Sequence, residues 1–232
     1  MGSMISVATL DGEASFAAYR AEPAGEPKGA IVVIQEIFGL TPGIRAKCDT
    51  WAAEGYLALA PDMFWRIQPG LDLDPDVPEQ MQEAFGFFQK FDFDEGIKDV
   101  EATIRAARAA VAGRKVGLVG FCMGGRMAYL AATRTDVDAS VGYYAVGLPA
   151  LLRESHAIGR PLLLHIAKDD AHVPPDQQAA IHAGLDDNPH VTIVDWDGVD
   201  HGFATETGKR RNDAVARQAD ARTKAFFAEH IG

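Results

Sequence analysis

Short apolar runs rich in β-branched residues alternate along the chain with longer segments in which apolar residues recur at helical spacing. The short runs are typical of buried strands, and the longer segments are typical of helices with one apolar face. The predicted strands are residues 30–34, 57–60, 116–119, 140–144, 162–166 and 191–194, and the predicted helices are residues 42–54, 94–112, 123–133, 175–185 and 209–230. This alternation predicts an α/β fold with a mostly parallel central sheet and helices on both faces.

The first part of the chain follows a different pattern. Segments 5–10 and 15–19 flank Asp11-Gly12, which predicts an N-terminal antiparallel hairpin at the edge of the sheet. Residues 61–78 hold four prolines and little periodicity, which indicates a long loop beside a site. No repeat or linker divides the chain, so we expect a single domain over residues 4–232, with residues 1–3 as a vector-derived start.

Composition narrows the class of protein and its partners. Hydrophobic residues make up 47% and charged residues 24%, as in folded globular chains. The net charge of −11 repels nucleic acid and anionic membranes, so we expect neither as a partner, while a small anionic substrate remains compatible. Two cysteines are too few for a disulfide framework and favour the cytoplasm. No apolar run approaches the roughly 20 residues that span a bilayer, and we expect a monomer without a membrane anchor.

Candidate chemistry centres on Cys122, in the pattern Gly120-x-Cys122-x-Gly124 between a predicted strand and a predicted helix. This is the nucleophile-elbow pattern, in which the tight turn leaves no room for side chains two residues before and after the nucleophile. The helix N-terminus also favours a thiolate over a thiol. The alternative is a buried structural cysteine, the interpretation that fits Cys48 within helix 42–54.

A general base is expected near the carboxyl ends of the strands that follow, where open α/β sheets place their sites. His201, in a glycine-flanked loop after strand 191–194, is the candidate base, and His172 is its rival. His165 lies within an apolar strand and is interpreted as a core residue. The remaining histidines are interpreted as surface groups: His156, His182, His190 and His230.

The residue that orients the base is less well defined by the sequence. Asp169 and Asp170 both follow strand 162–166, and periodicity does not separate them, while Asp200 is a weaker candidate beside His201. A metal site built from this aspartate pair with His165 and His172 matches no known ligand spacing, so we expect no metal.

Six segments together resemble the dienelactone hydrolase family, the carboxymethylenebutenolidases of the α/β-hydrolase fold, over nearly the whole chain. They are QEIFG at 35–39, APDMF at 60–64, VGLVGFCMGG at 116–125, GYYAVG at 142–147, DAHVP at 170–174 and HGF at 201–203. The resemblance implies a triad of Cys122, Asp170 and His201, because the acid of the family precedes an x-x-Val-Pro ending. It also implies that Glu36 contacts the resting thiol and helps to ionise it.

The activity implied by the resemblance is hydrolysis of a carboxylic ester or lactone. The Cys122 thiolate attacks the carbonyl, backbone N–H groups of Ile37 and Met123 hold the oxyanion, and an acyl-thioester forms. His201 then activates water, or assists an internal enolate where the substrate is a dienelactone. No cofactor is implied. The alternatives are a general carboxylesterase or thioesterase on the same scaffold, a non-catalytic binding domain, or a thiol sensor.

The chain departs from the family pattern at the substrate pocket. Two arginines that grip the substrate carboxylate in the family correspond here to Met81 and Thr205. We therefore expect a less anion-selective pocket, since neither side chain reproduces a guanidinium fork. The expected substrate-binding residues are Phe38, Phe88, Tyr144 and Arg66, with Tyr144 and Arg66 as partial replacements for the arginines.

Overall fold

The computed structural model describes residues 2–206 and 208–232. Met1, which belongs to the predicted vector-derived start, lies outside the described residues. The strands are β1 (Ser3–Ala8), β2 (Ser15–Ala21), β3 (Ala30–Ile34), β4 (Leu57–Pro61), β5 (Val116–Phe121), β6 (Ala139–Tyr143), β7 (Leu162–Ala167) and β8 (Val191–Trp196). The helices are α1 (Pro42–Ala53), α2 (Pro78–Lys90), α3 (Phe93–Ala110), α4 (Met123–Arg134), α5 (Pro175–Leu185) and α6 (Asp213–His230), with a 3-10 helix at Leu148–Ala157.

The strands form one sheet in the order β1-β2-β4-β3-β5-β6-β7-β8. Strands β1 and β2 pair antiparallel, β2 pairs antiparallel with β4, and every later pairing is parallel. The predicted mostly parallel sheet with an N-terminal antiparallel hairpin is thus confirmed. Every residue of β3 to β7 is buried, which explains why these strands read as unbroken apolar runs.

Helices cover both faces of the sheet, as the alternation predicted. The chain passes from β3 to β4 in one direction along the sheet and from β5 to β6 in the other. Because such crossovers are right-handed, α1 and α4 lie on opposite faces. Helix α6 shares the face of α1, with the rings of Trp51 and Phe227 in edge contact at 5.3 Å. None of the described helices is long and apolar enough to cross a membrane.

Several elements differ from the sequence-based prediction. Helix α2 was not among the predicted helices, although Met81, Ala84 and Phe88 recur along it at helical spacing and Ala84 is buried. Helix α6 begins at Asp213 rather than at residue 209, since the Asn212 side chain accepts a hydrogen bond from the Val215 N–H and caps the helix there. Strand β6 ends at Tyr143 because Tyr144 has a positive φ of 37°.

The sheet register brings two chain segments together at its carboxyl edge. Ile34 of β3 pairs with Gly120 of β5, so the residues two positions later, Glu36 and Cys122, emerge side by side. A Cβ atom at Gly124 would clash with the Ile34 carbonyl and lie 2.7 Å from the Gln35 carbonyl oxygen. The elbow glycine therefore permits the first turn of α4 to rest directly on the end of β3.

This packing yields a prediction about stability. Gly124→Ala should lower the free energy of unfolding by about 3 kcal/mol, because the clashing atoms belong to buried backbone and cannot move aside. Gly86→Ala is the matched control, since an added Cβ there, within α2, meets nothing within 4 Å. It should stabilise the protein by about 0.5–1 kcal/mol through the unfolded state. Urea unfolding of both variants gives the two values, and equal shifts would contradict the packing argument.

Candidate active site

Cys122 occupies the turn between β5 and α4 in a strained conformation. Its φ of 56° and ψ of −114° lie in a region that residues other than glycine rarely adopt. The Cys122 N–H donates a hydrogen bond to the Tyr143 carbonyl at 3.0 Å, which fixes the turn against β6. The residue is 8% exposed, so the sulfur lies at the N-terminus of α4 with little contact with bulk water.

Asp170 and His201 meet although each follows a different strand. The Asp170 Oδ2 lies 2.8 Å from the Nδ1 of His201, and both residues are buried. The other carboxylate oxygen of Asp170 accepts hydrogen bonds from the N–H groups of His172 and Val173 at 2.8 and 3.2 Å. Asp169 is exposed. The structure thus brings Asp170, and not its neighbour, to the candidate base.

Asp200 links the two loops that carry this pair. Its Oδ1 accepts hydrogen bonds from the N–H groups of Ala171 and His201, at 3.0 and 2.6 Å. Burial acts to raise the pKa of Asp200, but these two hydrogen bonds outweigh it and lower the pKa below its ordinary value. The weaker candidate for the acid therefore contacts the backbone of the histidine rather than its ring.

The His201 ring is held by aromatic neighbours. Tyr144 and His172 contact it edge-on, with centroids 4.9 and 4.7 Å away. Its Nε2 is buried and has no hydrogen-bond partner of regular geometry among the described residues. With Nδ1 bound to Asp170, Nε2 is the nitrogen left free for proton transfer.

Electrostatics differ sharply between the two adjacent histidines. Burial opposes protonation of His201, but the charge of Cys122 and the hydrogen bond that Nδ1 donates to Asp170 outweigh it and raise the pKa to about 10. Burial and the nearby charge of His201 lower the pKa of His172. His201 is therefore the protonated member of the pair near neutral pH and His172 the neutral one.

Glu36, which follows β3, has a buried carboxylate oxygen without a hydrogen-bond partner in the described part of the chain, near Tyr144 and Cys122. It is 9% exposed, and its Oε1 is buried without a hydrogen-bond partner among the described residues. The hydroxyl of Tyr144 is likewise buried without a partner within that part of the chain. Burial, the charge of Glu36 and the charge of Cys122 together raise the pKa of Tyr144 well above its ordinary value. A neutral phenol and an unpaired carboxylate thus lie close to the cysteine.

Two cavities open on these residues. The thiol cavity, of about 170 Å³, is lined by Ile37, Phe38, Met81, Phe85, Phe88, Cys122, Val146, His172, His201 and Arg210. The side cavity, of about 390 Å³, is reached by Glu36, Phe38, Tyr144, Thr205 and Lys47, among others. Three of the expected substrate-binding residues line these cavities. Phe88 lines the thiol cavity, Tyr144 lines the side cavity, and Phe38 lines both.

Arg66 is not brought to either cavity. Its guanidinium pairs with Asp99 and, at 3.8 Å, with Glu95, both on α3, and stacks over the Trp65 ring at 4.3 Å. A buried carboxylate on α3 thus engages the Arg66 side chain, and a role of Arg66 in substrate binding stays a prediction. Arg210, which the sequence analysis did not single out, lines the thiol cavity instead. No motif marks it, since its position depends on the path of the loop after His201.

The residues interpreted as structural behave as such. His165 is 1% exposed, accepts a hydrogen bond from Trp196 Nε1 at 3.0 Å and contacts Thr223, and burial lowers its pKa to about 3. Cys48 is fully buried, and burial raises the pKa of its thiol. Within residues 2–206 and 208–232, no group of three or more His, Cys, Asp or Glu side chains is arranged to hold a metal ion.

The sequence is similar to known proteins over nearly its whole length. A relative from Azospirillum brasilense is 40% identical over 223 residues, with 95% of this chain and 96% of the relative covered. The carboxymethylenebutenolidase of Pseudomonas putida is 36% identical, with 97% of this chain and 95% of that protein covered.

Solved structures show the same architecture. A Klebsiella pneumoniae protein superimposes with a TM-score of 0.82 at 26% identity, covering 98% of this chain and all of that one. A dienelactone hydrolase-like promiscuous phosphotriesterase from metagenomic libraries shares the fold, with a TM-score of 0.80 at 22% identity, covering 100% and 99% of the two chains. The model of the dienelactone hydrolase family matches residues 16–231. The chain therefore belongs to the dienelactone hydrolase family and has its α/β-hydrolase fold.

Proposed function

We propose that this protein hydrolyses carboxylic esters or lactones, with Cys122 as nucleophile, His201 as acid and base, and Asp170 as the residue that orients His201. The name of the Pseudomonas putida relative, a carboxymethylenebutenolidase, supports the reaction class. The observation that carries the assignment is the buried Asp170–His201 pair at 2.8 Å, whose free Nε2 belongs to the same cavity as Cys122. This is the arrangement that activates a nucleophile in triad hydrolases.

The raised pKa of His201 supports a thiolate–imidazolium pair as the reactive state. With that pKa at about 10 in the presence of the Cys122 charge, His201 carries a proton near neutral pH. The thiolate attacks the carbonyl carbon, the C–S bond forms, and the C–O bond to the leaving group breaks as His201 donates its proton to that oxygen. Neutral His201 then takes a proton from water, whose oxygen attacks the thioester and releases the acid and the thiolate.

Backbone donors for the oxyanion come from two adjoining segments. Met123 is the first residue of α4, so its N–H has no acceptor within the helix. Ile37 lines the thiol cavity at the end of the β3 segment on which Gly124 rests. Donors on two segments in van der Waals contact are fixed before charge develops on the substrate, as electrostatic stabilisation of an oxyanion requires.

Glu36 is assigned the ionisation of the resting thiol. Its buried Oε1 lacks a partner and is available to accept a hydrogen bond from the Cys122 S–H. Transfer of that proton to the Glu36 carboxylate leaves the charged sulfur next to the imidazolium of His201. The unpaired state of such a buried carboxylate oxygen is costly in a purely structural role, which supports a catalytic one.

A general carboxylesterase of the same scaffold is the second candidate. The thiol cavity is small, and Phe38, Phe85, Phe88, Met81 and Val146 give it an apolar wall. Such a wall suits aryl or short alkyl esters as well as lactones. Comparing kcat/KM for dienelactone with that for aryl esters separates the two substrate classes.

Replacing the nucleophile tests the proposal directly. Cys122→Ala should reduce hydrolysis of p-nitrophenyl acetate by more than about 100-fold, while the thermal midpoint stays near that of the native protein. Cys122→Ser should also be far less active, since a hydroxyl is harder to ionise than a thiol. Cys48→Ala is the matched control and should keep its activity, because the Cys48 side chain lines neither cavity. A Cys122→Ala enzyme that retained more than about one hundredth of native activity would rule out this nucleophile.

The acid is tested by two neighbouring substitutions. Asp170→Asn should lower kcat by about 100-fold to 10,000-fold, because the imidazole loses the partner that fixes its tautomer and stabilises its charge. Asp169→Asn should change kcat less than about twofold, since the exposed carboxylate contacts no catalytic group. Steady-state kinetics on one aryl ester suffices, and the reverse ranking would move the acid to Asp169.

The charge on Cys122 makes a prediction about proton binding. In Cys122→Ala, the pKa of His201 should fall from about 10 toward its ordinary range, because the Cys122 charge is the largest influence that raises it. NMR titration of the His201 ring measures this, and an unchanged pKa would refute the ion pair. Since the folded pKa exceeds the unfolded value of about 6.5, protonated His201 stabilises the fold below that pH, and this contribution disappears as the pH rises through 10. The variant should lose less stability over that interval.

A further inference from the structure

The thiol cavity contains a guanidinium that the mechanism above does not use. Arg210 lines it together with Cys122 and His201, and it is the only Lys or Arg among the described residues of that lining. The rest of the wall is apolar apart from the two histidines. A cation in such surroundings interacts strongly with any charge that enters, because little water is present to screen it.

Arg210 contacts the residue after the proposed oxyanion donor and the residue after the proposed base. Its guanidinium carbon lies 5.4 Å above the ring of Phe38, the residue that follows the oxyanion donor Ile37. It also packs on Gly202, the residue after His201, where an added Cβ would lie 3.2 Å from the same carbon. These contacts hold the Arg210 side chain between the Ile37–Phe38 segment and the loop that carries His201.

The guanidinium lacks a counter-charge. Arg211, its neighbour, pairs with Asp213 at 2.7 Å and approaches Glu206 at 3.8 Å. Arg210 forms no ion pair with any residue in 2–206 or 208–232, and its Nη2 is buried without a hydrogen-bond acceptor in those segments. Buried N–H groups of arginine are normally paired, so a structural role leaves this one unexplained.

On the basis of the proposed function, we infer that Arg210 is a specificity-determining residue that binds an anionic group, a carboxylate, carried by the ester or lactone substrate. A planar guanidinium fork matches the two oxygens of a carboxylate and provides charge-assisted hydrogen bonds. The expectation of a less anion-selective pocket rested on Met81 and Thr205 in place of the family's two arginines, with Tyr144 and Arg66 as partial replacements. Met81 does contribute an apolar side chain to the thiol cavity, and Thr205 lines the side cavity, but Arg210 supplies a cation from a third position.

Matched esters test this inference. One pair is mono-p-nitrophenyl adipate and p-nitrophenyl hexanoate, which differ by a carboxylate on the acyl side. The other pair is 4-acetoxybenzoate and phenyl acetate, which differ on the alcohol side. In at least one pair, Arg210→Met should lower the ratio of kcat/KM for the anionic ester to that for the neutral ester by about 30-fold, as expected for a lost charge-assisted hydrogen bond. Arg210→Lys, which keeps the charge without the fork, should fall between.

Lys209→Met is the matched control. It removes one positive charge from the adjacent residue, whose side chain is exposed and does not line the thiol cavity. The ratio should stay within about twofold of native, because an exposed charge is screened by solvent. A similar fall in Lys209→Met, or equal losses for both esters in Arg210→Met, would overturn the assignment in favour of general electrostatics or a structural role.

Alkylation of Cys122 gives a reading that does not depend on hydrolysis. Iodoacetate and iodoacetamide have the same size and differ in charge, so the ratio of their rate constants reports on a cation near the sulfur. Arg210→Met should lower this ratio about fivefold, and an unchanged ratio would overturn the inference. If no ester is hydrolysed but the ratio falls, the proposed function fails and the anion site stands.

Discussion

The close approach of the elbow to the end of β3 is the constraint on which the rest of the site depends. Gly124 rests on the carbonyls of Ile34 and Gln35 because it has no side chain. In the same turn Cys122 has a positive φ, at a cost of about 1–3 kcal/mol that the surrounding buried strands can sustain. The contact also brings the end of β3, which leads to Ile37, next to the turn that carries Cys122, so it positions both the proposed nucleophile and a proposed oxyanion donor.

Burial then makes the charges of the site depend on each other rather than on water. A charge on Cys122 and the hydrogen bond to Asp170 raise the pKa of His201, although burial alone would lower it. His172, in contact with His201, is kept neutral by burial and by the charge of His201. Burial and neighbouring negative charges keep the phenol of Tyr144 neutral. The arrangement therefore distributes protons unequally among similar groups, which is the condition for separate acid, base and neutral roles.

The sequence predicted what depends on local pattern. Strands buried on both faces appear as apolar runs, and the elbow appears as glycine spacing, because each leaves its mark within a few residues. The choice between Asp169 and Asp170 required the family resemblance, since neighbours on a loop differ only in the direction they face. Helix α2 carries Met81, Ala84 and Phe88 at helical spacing, so it could have been predicted from its own residues. The ion pair of Arg66 with Asp99 of α3 could not, since nothing around Arg66 in the sequence shows that Asp99 lies opposite.

Arg66 and Lys47 are paired with acidic side chains, whereas Arg210 is not paired with any acid among the described residues. Asp99 is 1% exposed and needs a cation, so Arg66 neutralises it. Lys47 is buried at the side cavity and is neutralised by Glu206 at 2.8 Å. Arg210 has no such acid among the described residues, and its buried Nη2 has no hydrogen-bond acceptor there. With a net charge of −11, long-range attraction cannot draw an anion toward the molecule. The proposed selectivity for an anionic substrate therefore depends on contacts inside the thiol cavity, where Arg210 is the Lys or Arg side chain among the described residues of the wall.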